Sequence, residues 1–300
     1  MGRSAAAGVV RVRCVTETTI PRVALRDGNE IPQLGYGVWR VPDDEAETAT
    51  AEALRVGYRL IDTAADYGNE AGVGRAIAAS GLPRDELFVT TKLNNPDQGY
   101  EATLRAFDVS MDKLGLETLD LYLIHWPCPR AELYAESWKA FVALAESGRV
   151  RSIGVSNFHR AHLDRIIDET GVTPVLNQIE VHPYLQQNEM RGINSSHQIV
   201  TEAWSPLGSG HGLLNDPVLA QIAQRHEATV AQVVLAWHLQ VGNVVIPKSV
   251  TPSRIAENFQ APKVRLTAED LAQIETVDSG TRYGGNPDTA HFGMPEFADH

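Results

Sequence analysis

The chain has 300 residues, of which 43% are hydrophobic, and carries a formal net charge of −12. This length and apolar content can bury the core of one large domain. The negative charge disfavours nucleic acid and anionic membranes as partners. Two cysteines, Cys14 and Cys128, are too few for a disulfide framework or a zinc cage and suit a reducing cytosol.

The first 19 residues are rich in alanine and contain no apolar stretch long enough for a signal peptide. No later segment is apolar over the length that crosses a bilayer. We therefore expect a cytoplasmic, monomeric protein. Its expected parts are a loosely packed extension at 1–19, a single domain over 20–280 and a tail over 281–300.

From residue 22 onward, strand-like and helix-like segments alternate. Residues 22–34 contain an Asp-Gly turn between alternating apolar residues, which predicts a short hairpin. The predicted helices are 43–56, 69–79, 101–114, 132–146 and 162–169, and a capping box at Thr267 starts a last one. The predicted strands are 34–37, 60–62, 88–92, 119–125, 150–157, 176–180, 199–204 and 244–248. Eight strands in alternation with helices predict an α/β fold, a closed (β/α)8 TIM barrel with the hairpin as a plug under its floor.

Three of these strands end in a single ionisable residue. Asp62, Lys92 and His125 each close an apolar run, and Tyr67 follows five residues after Asp62. Because the chemistry of such barrels lies at the carboxyl ends of the strands, we expect the four side chains to share one rim. Taken singly, each has a plainer interpretation: Asp62 as a turn former, Lys92 as a surface cation, Tyr67 as a packing aromatic and His125 as a core histidine.

Together the four residue types suit proton transfer to a carbonyl oxygen. A buried lysine needs a counter-ion, and Asp62 is the natural candidate for Lys92. An ammonium close to a phenol stabilises the phenolate, so we expect Lys92 to lower the pKa of Tyr67 and make it a usable acid. His125, as a neutral imidazole, could donate a hydrogen bond to the same substrate oxygen.

The segments around these residues resemble a known family. They read LIDTAADYGNE at 60–70, VTTK at 89–92, LIHWP at 123–127, SNF at 156–158 and IPKS at 246–249. Over residues 23–277 the chain is similar to the aldo-keto reductase superfamily, and EAWSPLG at 202–208 resembles bacterial members similar to 2,5-diketo-D-gluconate reductase. The resemblance implies a barrel that binds NADPH without a Rossmann fold and reduces aldehydes or ketones to alcohols. It also implies that Asp62, Tyr67, Lys92 and His125 form a catalytic tetrad in which Tyr67 is the acid.

The resemblance further implies which residues bind the cofactor. The nicotinamide amide would be held by Ser156, Asn157 and Gln178, and its ring would stack on Trp204. Ser205, Leu207 and Gly208 are further expected cofactor contacts, and the glycine-rich loop at 208–212 is expected to fold as a lid over the pyrophosphate. The remaining implied contacts are Lys248, Ser249 and Arg254 at the 2′-phosphate and Glu257 and Asn258 at the adenine, and Val250 is a further expected cofactor contact. A basic site for the 2′-phosphate predicts a preference for NADPH over NADH.

The substrate pocket is expected to be partly apolar, with Trp39, Trp126 and the tail residue Phe292 as lining residues and small carbonyls or keto-sugars as substrates. Two other functions stay open: a regulatory or redox-sensing barrel that binds NADPH with little turnover, and a lyase that forms a Schiff base on Lys92. His159 and His162 have the spacing of two metal ligands but no evident third, so we predict no metal. The segment 192–196 is expected to depart from the helix usual after the sixth strand.

Overall fold

The computed structural model describes residues 18–294, so residues 1–17 of the predicted extension and 295–300 of the predicted tail lie outside the described residues. The chain begins with the predicted hairpin, in which β1 (Arg22–Ala24) pairs antiparallel with β2 (Glu30–Pro32). Its turn is closed by Asp27, whose carboxylate accepts a hydrogen bond from the Asn29 backbone N–H at 3.0 Å. Asp27 also accepts one from Ser152, near the start of a barrel strand. The hairpin therefore covers the amino ends of the strands.

Eight parallel strands follow, and each is hydrogen-bonded to the next along the chain. They are β3 (Tyr36–Gly37), β4 (Leu60–Asp62), β5 (Phe88–Leu93), β6 (Leu119–Ile124), β7 (Val150–Ser156), β8 (Leu176–Glu180), β9 (Val200–Trp204) and β10 (Val244–Val245). A parallel bridge from Leu34 to Val245 joins the first and last strands, so the sheet closes on itself as the predicted barrel.

The helices pack outside the strands. They are α1 (Asp43–Val56), α2 (Glu70–Ala79), α3 (Tyr100–Leu114), α4 (Tyr134–Glu146), α5 (Arg160–Thr170), α6 (Asn188–Ser196), α7 (Pro217–Arg225), α8 (Val230–Gln240), α9 (Pro252–Phe259) and α10 (Ala268–Glu275). The Gly-Val-Gly sequence at 72–74 lies inside α2 and serves packing, because a Cβ on Gly74 would lie 2.5 Å from the carbonyl oxygen of Leu114.

One expectation about the helices is wrong. Residues 192–196 do not depart from the helix after the sixth barrel strand but form the second half of α6. The reason is amphipathic spacing: Met190, Ile193 and Asn194 are buried on one side of the helix, whereas Asn188, Glu189, Ser195 and Ser196 are exposed. Tertiary packing outweighs the weak helix propensity of this segment.

The core has two layers, as the barrel architecture requires. One apolar cluster lies between the strands and the helices, and another fills the barrel interior above the hairpin. Leu60, Leu121, Leu123 and Leu176 belong to the inner cluster together with Ile31 of the hairpin, and each is at most 1% exposed. The filled interior leaves the carboxyl-end rim as the place where polar side chains can meet.

Candidate active site

The four residues singled out by their strand ends meet at the carboxyl-end rim. Asp62 ends β4, Lys92 lies near the end of β5, His125 follows β6, and Tyr67 lies in a short 3-10 turn after β4. The Lys92 ammonium lies 2.6 Å from Asp62 Oδ1, 2.8 Å from the Thr63 carbonyl oxygen and 3.5 Å from the Tyr67 hydroxyl. The Tyr67 and His125 rings meet edge to face with their centroids 5.7 Å apart.

The buried ion pair fixes the charge of Lys92. Burial by itself disfavours the ammonium, but the Asp62 carboxylate and the Tyr67 hydroxyl beside it outweigh that penalty and raise the pKa of Lys92. Lys92 therefore stays charged at neutral pH. A protonated amine is a poor nucleophile, so this geometry argues against Schiff-base chemistry.

The expected lowering of the Tyr67 pKa is not what the structure shows. Burial raises the pKa of Tyr67 to about 12, and the nearby Lys92 ammonium offsets this only in part. The expectation weighed the ammonium and left out desolvation of the phenolate. Burial and the same ammonium lower the pKa of His125 to about 3, so the imidazole is neutral, as expected.

A buried carboxyl lies behind the four residues and was not predicted as part of the site. Gln178 on β8 donates from Nε2 to Asp62 Oδ2 and to Glu202 Oε2, both at 2.8 Å. Glu202 on β9 is fully buried. The signal was present in the sequence, since Glu202 is an ionisable residue inside the predicted strand at 199–204.

Among the side chains expected at the nicotinamide, Ser156, Asn157 and Trp204 form a connected network around Asn157, while the Gln178 side chain points to Asp62 and Glu202. Its amide donates to the His125 carbonyl oxygen and to Ser156 Oγ, both at 3.0 Å, and its oxygen accepts from Trp204 Nε1 at 2.8 Å. Asn157 adopts a left-handed backbone with φ of 62°, which asparagine tolerates better than most residues. The network holds Trp204 and the loop after β6 in fixed relation.

Two of the three expected pocket residues lie together. Trp126 contacts Phe292 edge to face at 5.0 Å between ring centroids and lies 6.4 Å from the Trp204 ring. Trp39, the third expected pocket residue, is 40% exposed, and the Arg40 guanidinium covers its ring at 4.1 Å.

The described part of the tail is tied to the rim by Glu180, a second residue missed from the sequence although it also closes an apolar strand. Its carboxylate accepts hydrogen bonds from the backbone N–H groups of Tyr283 and Gly284 at 2.8 and 2.9 Å. Gly284 is required here, since a Cβ would collide with the Trp204 ring. Burial disfavours the carboxylate, but hydrogen bonds from His182 and these two amides lower the pKa of Glu180.

The histidine pair weighed as metal ligands also holds the tail. Asp288 Oδ1 lies 2.9 Å from His159 Nδ1 and 3.7 Å from His162 Nε2. Within residues 18–294, no group of three histidine, cysteine, aspartate or glutamate side chains is placed to bind a metal ion.

The loop expected to cover a pyrophosphate contacts the tail. After Trp204, Ser205 accepts a hydrogen bond from Ser209 Oγ at 2.7 Å, and Gly208 adopts a left-handed backbone with φ of 70°. Leu207 packs against the core. His211 then stacks on Tyr283 with ring centroids 4.1 Å apart, so this loop and the tail form one surface.

The remaining residues expected at the cofactor lie after β10 and on α9. Lys248, Val250 and Arg254 are exposed, and neither cation has an ion-pair partner in the described part of the chain. Ser249 Oγ accepts from the Thr251 backbone N–H at 3.1 Å. Of the expected adenine contacts, Asn258 is buried, and the Glu257 carboxylate accepts from Thr229 Oγ1 at 2.8 Å. This end of the rim thus offers the exposed positive charges of Lys248 and Arg254.

Comparison with known proteins connects this geometry to one family. Residues 32–279 match the family described as aldo/keto reductase. An aldo-keto reductase of Mycolicibacterium smegmatis is 54% identical over 272 residues, which cover 91% of this chain and 98% of that protein. Methylglyoxal reductase DkgA of Escherichia coli is 50% identical over 267 residues, which cover 89% and 96% of the two chains. Among solved structures, a mutant of Gox0644 in complex with NADPH is 49% identical with a TM-score of 0.88, and the match covers 91% of this chain and all of that one.

Within residues 18–294, no helix combines the length and the apolar character that crossing a membrane requires.

Proposed function

The chain belongs to the aldo/keto reductase family, and on that premise we propose that it is an NADPH-dependent reductase of aldehyde and ketone carbonyls. The observation that carries the proposal is the arrangement of the Tyr67 hydroxyl 3.5 Å from the Lys92 ammonium, which is itself paired with Asp62. This arrangement suits proton delivery to an oxygen bound at the rim. The product would be an alcohol, and the enzyme would act on CH–OH donors in the reverse direction.

Tyr67 is the proposed acid. Its pKa of about 12 keeps the hydroxyl protonated at neutral pH, so a proton is available when a substrate carbonyl arrives. As the oxygen takes that proton, negative charge develops on the phenol, and Lys92 stabilises it electrostatically. Asp62 keeps Lys92 charged and in place. His125, being neutral, has one N–H to donate to the same oxygen and so helps to orient the carbonyl.

NADPH fits the residues present. The exposed cations Lys248 and Arg254 have no ion-pair partner among the described residues, which suits a phosphate group. Trp204 would stack on the nicotinamide ring, with Ser156, Asn157 and Gln178 at its amide. When bound, NADPH supplies the hydride that adds to the carbonyl carbon. The DkgA relative is named for methylglyoxal reduction and the Gox0644 structure contains NADPH.

Small carbonyl compounds are the proposed substrates. Trp126 and Phe292 form an apolar wall beside the rim, and Phe292 is 52% exposed, so its ring is accessible to a ligand. A compact apolar wall close to charged and polar groups suits α-dicarbonyls, simple aldehydes and keto-sugars.

The test is NADPH consumption with purified protein against simple aldehydes, α-dicarbonyls and keto-sugars, repeated with NADH. We expect turnover with at least one class and a preference for NADPH. Tight NADPH binding without turnover of any of them would contradict the proposal and favour a sensing barrel. Trapping of a substrate adduct on Lys92 by borohydride would instead favour the lyase.

A further inference from the structure

Glu202 occupies a position that the reaction described above leaves unused. It lies on β9 in the barrel interior, with 0% of its surface exposed. Its Oε2 oxygen accepts from Gln178 Nε2 at 2.8 Å, and the same nitrogen donates to Asp62 Oδ2 at 2.8 Å. The Gln178 amide nitrogen is therefore a bridge between two buried carboxyls.

The hydrogen bonds fix the orientation of that bridge. Both protons of the Gln178 Nε2 nitrogen go to carboxyl oxygens, so its remaining polar atom, Oε1, can only accept. Asp62 is held in the same way, with Oδ1 on the Lys92 ammonium and Oδ2 on Gln178. Removing the acceptor on Glu202 would free the amide to rotate and would loosen the carboxylate that holds Lys92.

The charges of the buried groups indicate a second role for Glu202. Asp62 and Glu202 are two buried acids, and the Lys92 ammonium is the one cation that interacts with Glu202 among the described residues. If both acids were ionised, one negative charge would be uncompensated in the barrel interior, which is costly. In addition, Glu202 Oε1 has no hydrogen-bond partner within residues 18–294, and a bare carboxylate oxygen would be costly there.

We propose that Glu202 is a positioning residue of the reductase: in its protonated form it holds the Gln178 amide against Asp62, and loss of its proton slows carbonyl reduction by placing a negative charge behind Lys92 and Tyr67. This inference rests on the proposed function. It assigns a role to a residue that does not touch the reacting atoms and acts on them through Gln178, Asp62 and Lys92.

The charged groups around Glu202 determine whether carbonyl reduction slows or speeds up as the pH rises. Burial and the Asp62 charge raise the pKa of Glu202 to about 8, against the opposing effects of Gln178 and Lys92. Below that pH the carboxyl is neutral. Above it, the new negative charge attracts Lys92 and opposes the charge that develops on Tyr67 as it gives up its proton. The imidazole of His125 is uncharged throughout this range. Reduction should therefore slow as the pH rises through 8.

The primary test is the pH profile of hydride transfer in the full-length enzyme, measured as the single-turnover rate with deuterated NADPH between about pH 6 and about pH 10. The wild-type rate should fall about tenfold on the alkaline side, the size of effect that one added charge has within a protein interior. In Glu202→Gln this alkaline decline should be absent over the same range, because the amide cannot ionise.

A matched control distinguishes this site from buried glutamates in general. Glu70 is 1% exposed and accepts from Thr91 Oγ1 at 2.6 Å, away from the cluster. Glu70→Gln should keep the alkaline decline. Glu202→Ala, which leaves Gln178 without its acceptor, should lower the rate about tenfold or more across the range, and Glu202→Gln should recover most of that loss. An alkaline decline that persists in Glu202→Gln would overturn the proposal.

Infrared difference spectroscopy gives a readout independent of turnover. The wild-type protein should show a protonated-carboxyl band near neutral pH that disappears as the pH passes about 8, and Glu202→Gln should lack it. Wild-type protein without such a band overturns the proposal even if the variants fail to fold. If the wild-type protein reduces no carbonyl, the proposed function fails and takes this inference with it. If the wild-type protein reduces a carbonyl but the alkaline decline in rate persists in Glu202→Gln, this inference alone fails.

Discussion

The Lys92 ammonium lies 2.6 Å from Asp62 Oδ1, and the two side chains are 0% and 2% exposed. Breaking a buried pair by removing one partner leaves the other charge uncompensated, so Lys92→Met should lower the free energy of unfolding by about 3–5 kcal/mol. Urea unfolding followed by circular dichroism measures this change.

A double variant separates stability from chemistry. Asp62→Asn combined with Lys92→Met removes both charges, so it should regain much of the lost stability while reduction stays abolished. Equal instability in the single and double variants would show that the ion pair is not the source of the loss. Recovered activity in the double variant would show that Lys92 does not act on Tyr67.

The residues at the strand ends could be predicted from the sequence to share one rim. The side-chain contacts across the barrel could not be predicted in this way. Asp62, Lys92 and His125 could be placed together because parallel strands present their carboxyl ends at one edge. Gln178 and Glu202 are partners on neighbouring strands, but the bridge also needs Gln178 to meet Asp62 across the barrel interior, and no spacing along the chain encodes that contact.

The direction of the Tyr67 pKa shift could not be predicted from the sequence either. The sequence indicates which charge lies near the phenol but not how completely the phenol is buried, and burial is the larger effect. Likewise, the path of the tail over Glu180 follows from two backbone amides, which carry no sequence signature.

Cofactor preference should depend on the exposed cations Lys248 and Arg254. Lys248→Ala with Arg254→Ala should weaken NADPH binding by about 100-fold or more, since each charge-assisted hydrogen bond contributes about 1.5–3 kcal/mol. NADH binding should change little. Quenching of tryptophan fluorescence measures both affinities. Arg265→Ala, which removes an exposed arginine preceding α10, is the control and should leave both affinities as they are. A parallel loss of NADPH and NADH affinity would refute the assignment.

The tail should loosen when Glu180 is neutralised. Glu180→Gln weakens the acceptor of the Tyr283 and Gly284 amides, so we expect a several-fold higher KM for the carbonyl substrate, a smaller change in kcat, and faster proteolysis after residue 280. Steady-state kinetics and timed trypsin digestion followed by mass spectrometry measure these effects. Glu189→Gln, an exposed position on α6, provides the matched control. Unchanged KM and unchanged digestion would mean that other contacts hold the tail.

Acid should destabilise the fold through His162. Burial is the main cause that lowers the pKa of His162 from 6.5 to about 4, and its Nδ1 accepts from the His159 backbone N–H at 3.1 Å. The unfolded chain therefore binds a proton at higher pH than the folded one, so stability is complete above pH 6.5 and declines as the pH falls toward 4. For this site the loss at about pH 5 is about 2 kcal/mol. Urea unfolding above pH 6.5 and at about pH 5 measures the loss of unfolding free energy in acid. This loss should be smaller in His162→Gln than in the wild type, and equal losses would exclude His162 as a source.

The central claim is that Tyr67 gives a proton to the substrate oxygen. The most direct measurement is kcat/KM of Tyr67→Phe for a small aldehyde with NADPH, alongside the NADPH dissociation constant. We predict a loss of about 10²–10⁴-fold in kcat/KM, the usual contribution of a general acid, with NADPH affinity unchanged. A Tyr67→Phe enzyme that reduces the aldehyde at close to the wild-type rate would contradict the account.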